Sequence, residues 1–276
     1  MNVGLEKPVS KSMLKQRILT ALILAPILLA IVIYGDAGYF SALVFLIQSA
    51  ATYEWLKINQ LNSFLAFMNA VVLSLFTVYI LGQFTFLPVV MVMLYGLTWL
   101  LTVIWLLNHR WGYENSLFQL GFKSILGVLA IMLFGLAMNQ LYSFEMGHWW
   151  TLVLFLLIWV ADIGAYISGK TMGRHKLAIN ISPGKTWEGV IGAQIFVAIY
   201  AVVVSFLMDV DTLKTLVVML PIALFSVVGD LAASLGKRQA HVKDSSNLLP
   251  GHGGFIDRFD SLIAAAPLFE LLLGFL

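Results

Sequence analysis

The chain contains no cysteine, so disulfides and thiolate metal sites are excluded. Charge is nearly as scarce: Asp, Glu, Lys and Arg supply 11% of the 276 residues, and none of the four occurs from Ile58 to His109. The net charge of +2 is too small to suggest a nucleic-acid partner. Internal repeats, low-complexity tracts and a soluble domain are also missing. What remains is apolar. The hydrophobic share is 61% and the mean hydropathy +0.93, against about 45–50% apolar residues in a soluble domain. The expected class is therefore an all-α integral membrane protein, one polytopic unit over residues 1–276.

Spans follow from the uncharged runs. Lys7, Lys11, Lys15 and Arg17 precede an apolar run from Ile18 to Gly35, longer than the roughly 7–15 residues of a signal-peptide core. It is read as a retained first helix. A second run covers Ala37 to Tyr53, and the stretch from Ile58 to His109 has length for two crossings at about 20 residues each, with Gly82-Gln83 as their turn. Further spans are expected at about 123–143, 149–168, 187–208, 213–234 and 259–276, judged against the same bilayer thickness. The total is nine. A cytoplasmic N-terminus makes the loops near 54–63, 109–123, 169–186 and 236–258 cytoplasmic. Of 16 Lys and Arg, Lys214 alone then falls outside, as basic residues on cytoplasmic loops require.

Against this background, charge collects in two places. Residues 226–261 hold Asp230, Lys237, Arg238, Lys243, Asp244, His252, Asp257, Arg258 and Asp260. Residues 162–189 hold Asp162, Lys170, Arg174, His175, Lys176 and Lys185. Ionisable groups at a bilayer are costly and mark function by default. Carboxylates with cations at one interface suit a polyphosphate and its metal ions, because magnesium takes oxygen ligands from one or two carboxylates plus phosphates and water. Asp257 and Asp260 fall on one side of a helix starting after Gly254, with Arg258 beside them. That helix start would offer free N–H groups to phosphate. Gly184-Lys185-Thr186 is no P-loop, since Ile179 stands where the first glycine should be.

Each reading has a plainer rival. Asp257-Arg258 can be a structural ion pair, Lys243-Asp244 a loop-ordering contact and His252 a turn residue. The basic loop at 170–176 can serve topology and lipid headgroups. Trp149, Trp150 and Trp187 suit interfacial anchoring. Glu54 and Glu270 belong to no motif and receive no role.

The order Ser234, Lys237-Arg238, Lys243-Asp244, Pro250, His252-Gly253-Gly254, Asp257-Arg258-Phe259-Asp260 resembles the C-terminal signature of the CDP-diacylglycerol synthases, the phosphatidate cytidylyltransferases. Ala161-Asp162-Ile163-Gly164-Ala165-Tyr166 and Ser182-Pro183-Gly184-Lys185-Thr186-Trp187 are similar to two more of that family's stretches. The resemblance covers the chain from about Trp159 onward. It implies CTP plus phosphatidic acid giving CDP-diacylglycerol and pyrophosphate for phospholipid biosynthesis, in a multi-pass protein of the bacterial inner membrane. It also implies a magnesium requirement with room for a second cation, contact with membrane lipids, and a homodimer.

Helices up to residue 145 would support, and residues 146–276 would carry the chemistry. On the resemblance, Asp230 and Asp257 hold metal, while Lys185, Lys237, Arg238, Arg258 and Asp260 act in catalysis. Asp162, Ser182, Ser234, Lys243, His252, Gly253 and Gly254 would bind substrate. The chain departs from the pattern at Ala233, where an acid is usual, at Gly236, where a bulky apolar residue is usual, and at Ile163, Ile179 and Asn180. A catalytically degenerate homologue, a CTP-dependent lipid-alcohol kinase and a transporter using Asp162 and Asp230 are the alternatives.

Overall fold

The computed structural model describes residues 11–80 and 88–276. The expected turn at Gly82-Gln83, together with Lys7 and the side chains of Lys11, Lys15 and Arg17, lies outside the described residues. Among these, the chain forms nine α-helices: α1 (Lys11–Tyr34), α2 (Ala37–Ile58), α3 (Ser63–Leu75, running into a π-helical turn at Phe76–Ile80), α4 (Pro88–Leu107), α5 (Leu117–Ser143), α6 (Gly147–Met172), α7 (Trp187–Leu207), α8 (Thr212–Gln239) and α9 (Ile256–Leu273). Within the described residues, five of them, α4 to α8, are long and apolar enough to cross a membrane. The chain is a multi-pass membrane protein. Broad lipid-ready faces remain outside, such as Ile191, Ile195 and Ile199 along α7.

Polar residues cut the apolar runs into helices. Asp36 caps α2 through the Tyr39 amide (3.0 Å), Ser116 caps α5 through Gln119 (3.3 Å), and Asp211 caps α8 through Lys214 (2.8 Å). Each satisfies an N–H that the first turn cannot bond internally.

Two local expectations need correction. The segment after α6 is not wholly loop: β1 (Lys176–Ala178) and β2 (Ser182–Thr186) pair antiparallel, Lys176 opposite Thr186 and Ala178 opposite Ser182. Lys185 is thus a strand residue. Helix α8 also continues to Gln239, so Lys237 and Arg238 occupy its last turn instead of opening the following loop.

The core is built by α2, α5, α6, α8 and α9, with Phe40, Phe134, Met138, Leu141, Leu154, Leu157, Ile222, Leu235 and Phe269 buried. Small residues bring helix backbones close where lipid supplies no hydrophobic drive. On α9, Ala264, Ala265 and Ala266 are fully buried. Facing them, a Cβ on Gly229 of α8 would sit 2.6 Å from both the Ala264 Cβ and the Asp260 carbonyl oxygen. That close seam sets Asp260 beside the neighbouring residue on α8, Asp230.

Candidate functional site

Helix α8 presents Asp230, Ser234 and Lys237 on one face, at the spacing of successive turns. The Ser234 hydroxyl donates to Asp230 Oδ1 at 3.2 Å. Lys185 reaches across from β2 to form an ion pair with Asp230 Oδ2. The Asp230 carboxylate lies within electrostatic reach of Asp162 on α6 and of Asp260 on α9. Three acids from three helices therefore feel one another's charge, with Lys185 as a shared counter-charge.

A second centre forms around Asp257 in the first turn of α9, ahead of the apolar run of that helix. Lys237 Nζ donates to Oδ1 at 2.5 Å, both side chains being less than a tenth exposed. Oδ2 accepts from the Ser245 amide (2.9 Å) and the Gly254 amide (2.9 Å), and the Ser245 hydroxyl oxygen lies 3.1 Å away. Burial opposes ionisation of Asp257, but Lys237 and the Gly254 and Ser245 amides outweigh it and hold the carboxyl below its ordinary value. The ion pair with Arg258 envisaged from sequence is replaced by this one. Arg258 is exposed and donates from Nε to the His252 carbonyl at 2.9 Å.

The loop before α9 needs its glycines. Gly251 and Gly253 have φ of 75° and 83°, a region L side chains avoid, and a Cβ on Gly253 would approach Asp257 Oδ2 to 2.7 Å. The turn closes through the Leu249 amide to the Gly253 carbonyl (2.9 Å). Thr20 of α1 donates to the Pro250 carbonyl at 3.0 Å, tying the first helix to this loop.

Sequence reasoning missed Glu54. It is fully buried at the end of α2 and accepts four hydrogen bonds from the signature loop: Ser245 Oγ (2.7 Å), Ser246 Oγ (2.6 Å), and the amides of Phe255 and Ile256 (both 2.9 Å). The start of α9, expected to face phosphate, is instead occupied by this carboxylate. A lone acid beside an uncharged run was the available signal, because such groups are expensive at a bilayer.

A cavity of about 740 Å³ joins these pieces. Its lining includes Asp162, Asp230, Lys237, Asp244, His252, Asp257, Arg258 and Asp260, and also Leu24, Ile27 and Leu28 of α1, Leu43 and Ile47 of α2, and Phe155, Ile158 and Trp159 of α6. Lys185 and Ser234 join through Asp230, and Gly253 and Gly254 through Asp257. Arg238, Ser182 and Lys243 do not line it. Arg238 points to the carbonyls of Ile181 (3.4 Å) and Val242 (3.3 Å), fastening hairpin and loop to α8.

The donor set is all oxygen, which suits a hard divalent cation. Among the described residues no three His, Asp or Glu side chains converge into a ready cage. Magnesium completes its shell with water and substrate phosphate, so paired carboxylates rather than a cage are what it requires. Asp257 Oδ1 is bound among the described residues by Lys237 alone and retains a lone pair.

Two of the departures from the family pattern find places. Gly236 is filled in space by Trp55: a Cβ there would lie 2.6 Å from the indole. Asn180 meets His109 Nε2 at 3.2 Å. Ile163 and Ile179 are exposed, and nothing in the structure explains their identity.

A model of the cytidylyltransferase family matches residues 15–276. The chain is 35% identical over 269 residues to the phosphatidate cytidylyltransferase of Pseudomonas aeruginosa, covering 95% of this chain and 97% of that protein. It is 34% identical over 291 residues to the Haemophilus influenzae phosphatidate cytidylyltransferase (94% and 98% covered). It is 30% identical over 269 residues to the one from Bacillus subtilis (95% and 98% covered).

Proposed function

The chain belongs to the cytidylyltransferase family, and from that premise we propose that it transfers the cytidylyl group of CTP to phosphatidic acid, releasing pyrophosphate and forming CDP-diacylglycerol for phospholipid synthesis. The single observation that carries this substrate choice is the two-natured cavity, acidic and cationic where Asp162, Asp230, Asp257 and Asp260 meet Lys237 and Arg258, apolar along α1, α2 and α6. A phosphate-bearing lipid has the matching division of character. A soluble sugar or nucleoside acceptor would leave the apolar wall wet.

The reaction needs little acid–base help. The phosphate monoester of phosphatidic acid is already anionic near neutral pH. One of its oxygens attacks the α-phosphorus of CTP, the bond to the β-phosphate oxygen breaks, and pyrophosphate leaves with that electron pair. The obstacle is repulsion between anions, which positioning and neutralisation relieve. Asp230 and Asp257 would hold magnesium, with Asp260 close by and the same acids available to a second cation; the ion, when bound, neutralises phosphate oxygens. Lys185, Lys237 and Arg258 supply fixed positive charge, Lys185 and Lys237 from ion pairs already made to Asp230 and Asp257; Arg238, turned to backbone carbonyls away from the cavity, is assigned with them on the resemblance of its motif alone. Asp162, Ser182, Ser234, Lys243, His252, Gly253 and Gly254 are assigned to substrate binding, on the resemblance of their motifs.

In the full proposal all nine helices span the bacterial inner membrane, with the N-terminus and both charged segments cytoplasmic. The distribution of Lys and Arg supports that orientation. CTP then arrives from the cytosol and the lipid from the inner leaflet. The homodimer implied by the family resemblance is included, and cross-linking in native membranes tests it.

The deciding experiment supplies the detergent-purified chain with labelled CTP, phosphatidic acid and magnesium, beside Asp230→Asn and Asp257→Asn. Labelled lipid with stoichiometric pyrophosphate, lost in both variants, is the expected result. Release of CDP would indicate phosphorylation of a lipid alcohol instead, and an inert wild type would indicate a degenerate homologue.

A further inference from the structure

Asp257 holds Lys237, and something must hold Asp257. Its Oδ2 depends on two backbone groups, the Ser245 amide and the Gly254 amide. Both groups belong to a loop with little regular structure between α8 and α9. Left to itself such a loop samples many conformations, and ordering it costs about 1–2 kcal/mol per residue. The restraint comes from the other half of the chain. Glu54, about 190 residues away, takes the hydroxyls of Ser245 and Ser246 and the amides of Phe255 and Ile256. One of these four donors belongs to Ser245, the first of Asp257's two partners, and another, Phe255, directly follows the second, Gly254.

The two carboxylates also share a group. Ser245 Oγ lies 2.7 Å from Glu54 Oε2 and 3.1 Å from Asp257 Oδ2, yet a hydroxyl has one proton to donate. The shorter contact assigns that proton to Glu54. The Ser245 oxygen is thereby fixed, and its amide is aimed at Asp257. Burying Glu54 demands that its charge be met by donors, and all four donors come from this loop. The position is not adaptable on the loop side either: a Cβ on Gly254 would come within 2.5 Å of Glu54 Oε2.

We infer that Glu54 is a positioning residue for the transferase site, acting through Ser245 and Gly254 on Asp257 and through Asp257 on Lys237. The inference rests on the cytidylyltransferase reading for its kinetic arm. Helix α2 is suited to the task. Leu43 and Ile47, on the same face one and two turns apart from each other and from the stretch leading to Glu54, line the apolar part of the cavity. At the other end, Trp55 is anchored by donating Nε1 to the Lys123 carbonyl at 2.8 Å. One rigid helix thus bounds the lipid compartment and fixes the loop that organises the polar one.

The test uses the full chain in detergent with Glu54→Gln and, as a milder variant, Ser246→Ala, which removes one donor to Glu54 and leaves Asp257 untouched. Two readouts are taken. In kinetics with CTP, phosphatidic acid and magnesium, Glu54→Gln is expected to lower kcat about 10- to 100-fold, the range that misplacing a reacting group by about 1 Å produces, with KM for CTP changed less than about threefold. Ser246→Ala shifts kcat the same way by a smaller factor.

In amide hydrogen exchange, the Ser245 and Gly254 amides, which bond Asp257 and not Glu54, are expected to exchange faster in Glu54→Gln. The middle of α9 stays protected. Faster exchange confined to Phe255 and Ile256 would make Glu54 a mere helix cap and overturn the inference, as would wild-type kcat. If wild type makes no CDP-diacylglycerol, the functional reading fails while the exchange pattern still decides the role of Glu54. If Glu54→Gln does not fold, Ser246→Ala decides: unchanged kcat and unchanged exchange at Ser245 and Gly254 overturn it.

Discussion

Asp230 and Asp257 line the same cavity and are held in opposite ways. Asp257 is enclosed, its ion pair with Lys237 buried and its second oxygen bound by the Ser245 and Gly254 amides. Asp230 is open: its partner Lys185 and its own side chain remain a quarter to a third exposed, and its neighbours Asp162 and Asp260 are acids. A buried pair is costly to break because one uncompensated charge is left behind, whereas a half-exposed pair exchanges partners cheaply. The enclosed acid is built to define geometry. The open one is the easier of the two to part from its lysine.

The sharpest way to break this contrast is to neutralise each acid and compare activity with stability. Asp257→Asn strands Lys237, and the expected loss is about 3–5 kcal/mol of stability together with nearly all activity. Asp230→Asn removes a repelling acid from a cluster of three, so thermal stability should stay within about 1 kcal/mol of wild type. Its CDP-diacylglycerol formation should still fall about 100-fold or more. Thermal unfolding in detergent beside product formation checks both. Equal losses of stability in the two variants would erase the distinction.

Lys185 gives the next effect. Lys185→Met frees Asp230 of its ion pair and removes one cation from beside the acids. The expected outcome is a rise of about tenfold in KM for CTP, worth about 1.4 kcal/mol, with stability little changed. Kinetics at saturating phosphatidic acid measure it. The same substitution at Lys237 should instead behave like Asp257→Asn.

A smaller change tests the seam that carries Asp260. Gly229→Ala places a methyl 2.6 Å from the Asp260 carbonyl oxygen, so α9 must shift by a fraction of an ångström. Overpacking of this kind costs about 1–3 kcal/mol. It also moves Asp260 away from Asp230, and turnover should drop about tenfold. Gly96→Ala is the control, since no atom lies within 4 Å of its added Cβ.

How much of this could be read from the sequence depends on how each contact is encoded. Asp230, Asp257, Asp260, Lys185 and Asp162 announce themselves because charge is rare in this chain and the acids sit at fixed spacings. The helices follow from uncharged runs cut by Asp36, Ser116 and Asp211. Glu54 was illegible in role because it binds two backbone amides and two serines some 190–200 residues away, and backbone donors leave no residue code. Adjacency misled as well. Arg258 stands next to Asp257 in sequence, yet the side chain one α8 turn from Ser234 reaches it instead. The hairpin escaped notice because its five-residue strand, Ser182–Thr186, carries Pro and Gly and has no alternating apolar pattern.

The smallest effect on chemistry, and the most informative about the enclosed centre, comes from Gly236 and Trp55. Gly236 precedes Lys237, and the Trp55 indole fills the room a side chain would take, 2.6 Å from a Cβ there. Trp55 also crowds Gly127 of α5, so it is wedged between two glycines on two helices. Trp55→Ala alone leaves a cavity and should cost about 3–5 kcal/mol; Gly236→Leu alone overpacks and should cost about 1–3 kcal/mol. In the double variant the leucine enters the space the indole vacates. The two penalties should therefore overlap by about 0.5–3 kcal/mol, as residues in contact do. Turnover per folded molecule should recover with stability, because the Trp55 indole bonds the Lys123 carbonyl and not the acids. A double variant that is as stable as predicted yet stays slow would show that the indole orients Lys237, placing Trp55 beside Glu54 among the residues that hold the enclosed pair.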